Sequence, residues 1–212
     1  TYTYDLLDAG NSINYKVGIS TTKTSYYYDS LLQQATGSTL QKDRYVIVSA
    51  IAYNGKDPVA YLVSSDYKYD QKHWVDANAI NLIVCDYAEI SVNANGNQFT
   101  WVNTDTVETA STVIGGLYTH AFVPILETKV VDGDTWYKVP VSLTTNSNVY
   151  GWTLGSDPTV VFTMRKSTVA NNPPEITATD KSIVQGTELD LLANVTATDA
   201  EDGDLTKSIK VT

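Results

Sequence analysis

Asp199, Glu201, Asp202 and Asp204 crowd around Gly203 in the closing stretch "VTATDAEDGDLTKSIKVT". Four hard oxygen donors so close together are a calcium-binding composition. Their spacing departs from an EF-hand loop, which needs a glycine and a distal glutamate at set positions. Asp and Gly also build turns unaided, through Asx hydrogen bonds and positive φ. Thr196, Thr198, Ile209 and Val211 alternate on either side, as in two short strands. The turn is the favoured reading and calcium the alternative. No cofactor is expected, because Cys85, His73 and His120 form no ligand cluster in the sequence.

Other chemistries find little support. Cys85 follows the apolar run "INLIV" and reads as a small buried residue. A nucleophilic role would need a histidine and an orienting carboxamide, and neither His73 nor His120 lies in such a context. The 24 acids fall mostly in turns, with no motif that sets two across a cleft for hydrolysis. Gly115-Gly116 is not followed by the Lys-Ser or Lys-Thr of a phosphate loop. The chain therefore reads as non-catalytic, and its aromatics are the remaining functional resource. Trp136, Phe122, Tyr45 and Tyr61 suit core or hairpin packing. Tyr67, Tyr69 and Tyr150 lie in polar loops with no evident burial partner, and exposed rings stack on sugars or pack on short peptides.

The elements that must position these rings are strands. The chain has 212 residues, 42% of them hydrophobic, with 15 Tyr and one Met, and few helix-forming stretches. The fold class is all-β. A net charge of −10 argues against nucleic acid and anionic lipid as partners, and no apolar run is long enough for membrane insertion. No signal peptide opens the chain. "TYTYD" alternates like a strand interior, so the sequence reads as a piece of a longer protein. Low cysteine with abundant Thr, Asn and Tyr suits a secreted protein.

The middle contains a repeat. "GSTLQKDRYVIVSAIAYNGKDPVAYLV" from Gly37 aligns with "GGLYTHAFVPILETKVVDGDTWYKVPV" from Gly115. Leu40 precedes Tyr45 by five positions, as Leu117 precedes Phe122. Each copy then alternates like a half-buried strand, reaches an Asn-Gly or Asp-Gly hairpin, and returns. A polar loop leads to a closing tryptophan, Trp74 in "HWVDA" and Trp152 in "YGWTLGS". This order resembles the bacterial SH3-like domains of wall-associated proteins and peptidoglycan hydrolases. In the second copy His120 replaces the usual turn glycine; the first copy has "PVAYLV" in place of "WYKV".

The ends resemble another family. After "NNPP", the segment "EITATDKSIVQGTELDLLANVTATDAEDGDLTKSIKVT" is similar to the opening half of a bacterial Ig-like surface-protein repeat. "TYTYDLLDAGNSINYKVGIS" resembles the closing hairpin of such a repeat, with its turn at Asp8 to Asn11. The expected organisation is a closing Ig-like hairpin at 1–19, SH3-like barrels at 20–85 and 86–170, and half an Ig-like β-sandwich at 171–212. Half-sandwiches leave open edges, so residues 1–19 and 173–212 are expected to pair, within one molecule or by self-association.

The resemblance implies a secreted or surface-attached Gram-positive protein that binds cell-wall polymer, foremost peptidoglycan peptide. It also implies an attached hydrolase domain and Ig-like spacers. By position it points to Tyr26, Tyr27, Tyr28 and Tyr67 in the first copy, and to Trp101, Tyr118 and Tyr150 in the second; Tyr69 joins them as a loop aromatic. Two other roles stay open: a structural stalk, and an adhesin-like module for host glycan or protein.

Overall fold

The computed structural model describes residues 1–9, 12–65, 71–92, 99–104, 106–109, 111–141, 149–167, 175–180, 182, 186, 190–199 and 203–210. The fold is all-β, and the chain divides into residues 1–168 and 169–212.

The first unit holds two β-modules of one topology. The first module comprises β1 (Tyr2–Leu6), β2 (Lys16–Ser20), β3 (Thr24–Tyr27), β4 (Ala35–Leu40), β5 (Tyr45–Asn54), β6 (Asp57–Ser64), β7 (His73–Asp76) and β8 (Ile80–Ile83). The second comprises β9 (Asp86–Val92), β10 (Phe99–Asn103), β11 (Val113–Tyr118), β12 (Phe122–Ile125), β13 (Glu127–Val131), β14 (Asp134–Val141), β15 (Val149–Leu154) and β16 (Val160–Lys166). In the first, β3 pairs with β4 and β7, β6 with β5 and β7, and β2 with β5 and β8. In the second, β10 pairs with β11 and β15, β14 with β13 and β15, and β9 with β12 and β16. One difference separates them. β5 runs unbroken through both halves of its module with two register shifts, whereas its counterpart is split at Leu126 into β12 and β13.

The repeat seen in sequence is repeated in backbone detail. Asp43 and His120, each two residues before the aromatic that opens the next strand, both adopt positive φ (61° and 66°). Their N–H groups donate to the carbonyls of Ser20 and Ile90, the fifth residues of β2 and β9. His120 thus occupies the left-handed conformation that glycine takes more cheaply. At the second hairpin Asp132 and Gly133 have φ of 53° and 90°, and Val131 pairs with Asp134. That is the two-residue turn whose twist matches the strands it joins.

Two cores form, and β5 is buried on both faces from Val46 to Ala52. Val17, Val46, Val48, Val63, Val75 and Tyr61 belong to the first; Ile90, Val102, Leu117, Val123 and Val139 belong to the second. Each such aliphatic side chain, once fully buried, contributes about 1.5–3 kcal/mol.

The N-terminal segment departs from its expected hairpin. β1 and β2 do not pair with each other; both run antiparallel to β5, one after the other along the same edge. Tyr2–Leu6 lies against Ala50–Asn54 and Lys16–Ile19 against Tyr45–Val48. Leu7, just past β1, and Tyr15, just before β2, are buried in the first core. They are tied down by Leu7 N–H to the Ser49 carbonyl and by the Tyr15 hydroxyl to Asp8. Both strands of the N-terminal segment therefore pair within the first module, where Leu7, Tyr15 and Val17 are buried.

In the second unit β17 (Glu175–Thr177) pairs with β18 (Thr196–Asp199), which pairs with the two-residue β19 (Gly203–Asp204). The expected second strand around Ile209 is not one: Thr206–Ser208 form a 3-10 turn that Ile209 caps. Val211 lies outside the described residues.

Candidate functional site

The rings gather on the first module, where β1, β3, β7 and the β3–β4 loop meet. Tyr27 pairs with Trp74 across β3 and β7. Tyr4, from β1, brings its ring 6.1 Å from Trp74 in an edge-on contact and its hydroxyl 2.7 Å from Ser30 in the β3–β4 loop. Successive strand residues face opposite ways, so Tyr26 and Tyr28 lie on the other side of β3. Their rings flank His73, at 5.2 and 6.2 Å. Tyr26 also packs on the first core, and its hydroxyl meets Ser65 at 2.7 Å. Tyr28 is 67% exposed.

The loop carrying Tyr28 and Ser30 is ordered by one carboxylate. Asp29 accepts backbone N–H groups from Leu31, Gln33 and Gln34. Desolvation pushes its carboxyl up, but the N–H groups of Gln34, Gln33 and Leu31 together outweigh that and hold it below its ordinary value.

The second module has the same strands without the ring array. The register that sets Tyr27 against Trp74 sets Asn103 against Trp152. Val102 stands where the first module has Tyr26, and Gly151 where it has His73, since Val139 pairs with Gly151 as Val63 pairs with His73. Gly151 is obligatory: a Cβ there would collide with the Asn103 carbonyl oxygen and with Val102 and Ile114. Trp152 is only 1% exposed, with the Lys129 and Lys138 ammonium groups 5.1 and 5.9 Å from its ring centre.

The expected site residues therefore separate. Tyr26 and Tyr28 meet at His73 and Tyr27 pairs with Trp74 on the other side of β3, while Tyr67 and Tyr69 lie outside the described residues. Trp101 is 53% exposed on β10, opposite Gly116, and Tyr118 ends β11, opposite Phe99. Tyr150 does have a burial partner: its ring meets Tyr45 of the first module edge-on at 6.0 Å, and desolvation raises its phenol pKa. Tyr4 and Ser30 are the members that sequence reasoning missed, since β1 had been assigned to another domain. The available signal was the tyrosine alternation of "TYTYD", which shows a strand with one aromatic face but not the sheet it joins.

Among the acids proposed for calcium, Asp204 accepts the Thr206 N–H at 2.9 Å, and that residue's hydroxyl and N–H hold its carboxyl below the ordinary value. This is an Asx turn. The Asp199 side chain, Glu201 and Asp202 lie outside what is described. Among the described residues no three His, Cys, Asp or Glu side chains are grouped to hold a metal ion. Cys85 is half-buried, and desolvation, reinforced by Asp86, pushes its thiol up to about 11. Among the described residues no helix is long and apolar enough to cross a membrane.

No protein-family model matches the chain, and no curated protein matches it. Solved structures with partial likeness include NlpC1 from Trichomonas vaginalis, at 14% identity and a TM-score of 0.29 over 73% of this chain and 48% of that one. NlpC2 from the same organism gives 15% and 0.26 over 69% and 47%. A Listeria monocytogenes chain named as an autolysin gives 10% and 0.26 over 93% and 86%. The chain spans about half the length of the two NlpC proteins. Likeness at this level defines neither fold nor function, and the site rests on its own residues.

Proposed function

We propose that this chain is a non-catalytic binding piece for cell-wall polymer, with the aromatic residues around β3 and β7 of the first module taking up peptidoglycan peptide. The carrying observation is the contrast between two modules of one topology. The second folds with Val102, Asn103 and Gly151 where the first places Tyr26, Tyr27 and His73. The fold does not require those rings, and flat rings with nearby hydroxyls suit a short peptide of mixed polarity. The motif resemblance to SH3-like wall-binding domains supports the ligand class.

Charge supports the assignment to the first module. Residues 1–85 carry seven Lys and Arg against eight Asp and Glu, whereas residues 169–212 carry three against eight. Anionic wall polymers are repelled by the C-terminal part far more than by the first module. The role is to hold an attached hydrolase at the wall of a Gram-positive cell. Cosedimentation with purified peptidoglycan sacculi tests it. The chain should pellet with sacculi, Tyr28→Ala combined with Trp74→Ala should cut binding by about tenfold or more, and Trp101→Ala should leave it unchanged. Failure of the intact chain to bind would favour a structural stalk. Binding indifferent to Tyr28 and Trp74 would remove these aromatics from the site.

A further inference from the structure

The two modules treat one sheet edge differently. In the first, β1 covers the outer edge of β5, and Ala50, Ile51 and Ala52 beneath it are buried. The matching segment of the second module is β13, for Val131 pairs with Asp134 across its hairpin as Asn54 pairs with Asp57. β13 ends its sheet, and among the described residues no strand pairs with its other edge. Glu127, Thr128, Lys129 and Val130 are exposed there, Val130 at 68%.

Topology explains the gap. Only Val84 and Cys85 separate β8 from β9, so the chain entering the second module has no length for a counterpart of β1. In a two-residue hairpin the flanking pair bonds inward, so Glu127, Lys129 and Val131 face β14. Thr128 and Val130 then turn their N–H and C=O groups to the open edge. The first module shows the same alternation, with Leu7 N–H bonded to Ser49 and Gly55 N–H bonded to Thr1 on the β1 side.

We propose that the open edge of β13 takes an extended acidic peptide as an added strand, one carboxylate of which faces Lys129 and Lys138. Both ammonium groups lie over Trp152, where the first module sets the Tyr4 ring against Trp74. Glu127 lies 3.6 and 4.0 Å from them, which leaves the cluster net positive in a chain of net charge −10. In the register of β1 on β5, the residue opposite Lys129 is the one at the position of Tyr4. A second copy pairing through its own β13 with Thr128 bonded to Val130 would set Lys129 directly opposite Lys129, and like charges so placed are destabilising. The register that bonds Thr128 to Thr128 sets Lys129 opposite Glu127, and self-pairing of that kind would show as protection of Thr128 and Val130 before any peptide is added.

The test uses a synthetic peptide of residues 1–6 carrying Tyr4→Glu, and a second carrying Tyr4→Lys, each added to the full chain. Amide exchange by NMR should show Thr128 and Val130 unprotected in the free protein, with Ile51 and Tyr53 protected. The glutamate peptide should protect Thr128 and Val130, and bind up to about tenfold more tightly than the lysine peptide. Val130→Pro, which removes an outward N–H without touching the β14 ladder, should abolish that protection. Lys129→Ala should erase the preference for glutamate. Protection of Thr128 and Val130 before any peptide is added would overturn the proposal, since the chain itself would then cover the edge. So would absence of binding, binding that survives Val130→Pro, or a preference that survives Lys129→Ala.

Discussion

Asp29 shows how one residue sets the shape of a binding surface. Its carboxylate gathers the N–H groups of Leu31, Gln33 and Gln34 and so fixes the loop between Tyr28 and Ala35. Because its folded pKa lies below the ordinary value, the order it contributes is fully present above about pH 4. That order is lost as pH falls through the depressed folded value. Asp29→Ala should therefore reduce sacculus binding at neutral pH, and loop amides of the parent chain should lose exchange protection on acidification before the β5 amides do. Simultaneous loss would show that Asp29 does not govern the loop separately. His120 offers a complementary case. At φ 66° a residue with a Cβ is strained by about 1–2 kcal/mol, and glycine at that position is not. His120→Gly should raise stability by up to about 1 kcal/mol in a urea melt, the unfolded-state entropy of glycine offsetting part of the relief.

At the scale of elements, the same tryptophan is covered in two ways. Trp74 has Tyr4 of β1 against it, and Trp152 has Lys129 and Lys138. Tyr4→Ala removes a ring contact and a hydroxyl partner for Ser30, and should cost the first module about 1–2 kcal/mol. Tyr4→Phe should recover the ring's share only, so the two melts together separate packing from hydrogen bonding. What sequence could and could not show follows the same division. Leu40 and Leu117, the Asn-Gly and Asp-Gly turns, and the two closing tryptophans were legible because turn chemistry and alternation are local. The partner of β1 was not: period-two alternation announces a strand, and the flanking turn residues then suggest a hairpin, but backbone pairing is decided by whichever edge is free. Near Ile209 alternation misled outright, since apolar residues two apart also occur around a 3-10 turn. The candidate site was half legible, through Tyr26, Tyr27 and Tyr28, and Tyr4 joined it only through that long-range pairing.

Across residues 1–168 the two modules are joined by side chains that each lends to the other. Phe122 opens β12 of the second module, yet its ring packs on the first core, 4.8 Å from Tyr15 and 6.3 Å from Tyr87. Tyr150 meets Tyr45 in the same manner. Ser167, just past β16, accepts the Val17 N–H and donates to the Ile83 carbonyl, so the end of the second module closes on β2 and β8 of the first. Such a junction favours unfolding of both modules as one unit, because separation would bare aromatic surface and leave the buried Val17 N–H unsatisfied. Phe122→Ala tests this directly. Truncating a partly buried aromatic should cost about 2–4 kcal/mol. In a coupled unit that loss must appear in amides of both cores, at Val48 as well as Ile90, as faster exchange of similar size. If only the second-module amides responded, the rings at the junction would be contacts between independent bodies. A matched response at Val48 and Ile90 instead makes the aromatic junction the element that fixes the ring cluster of one module relative to the open β13 edge of the other.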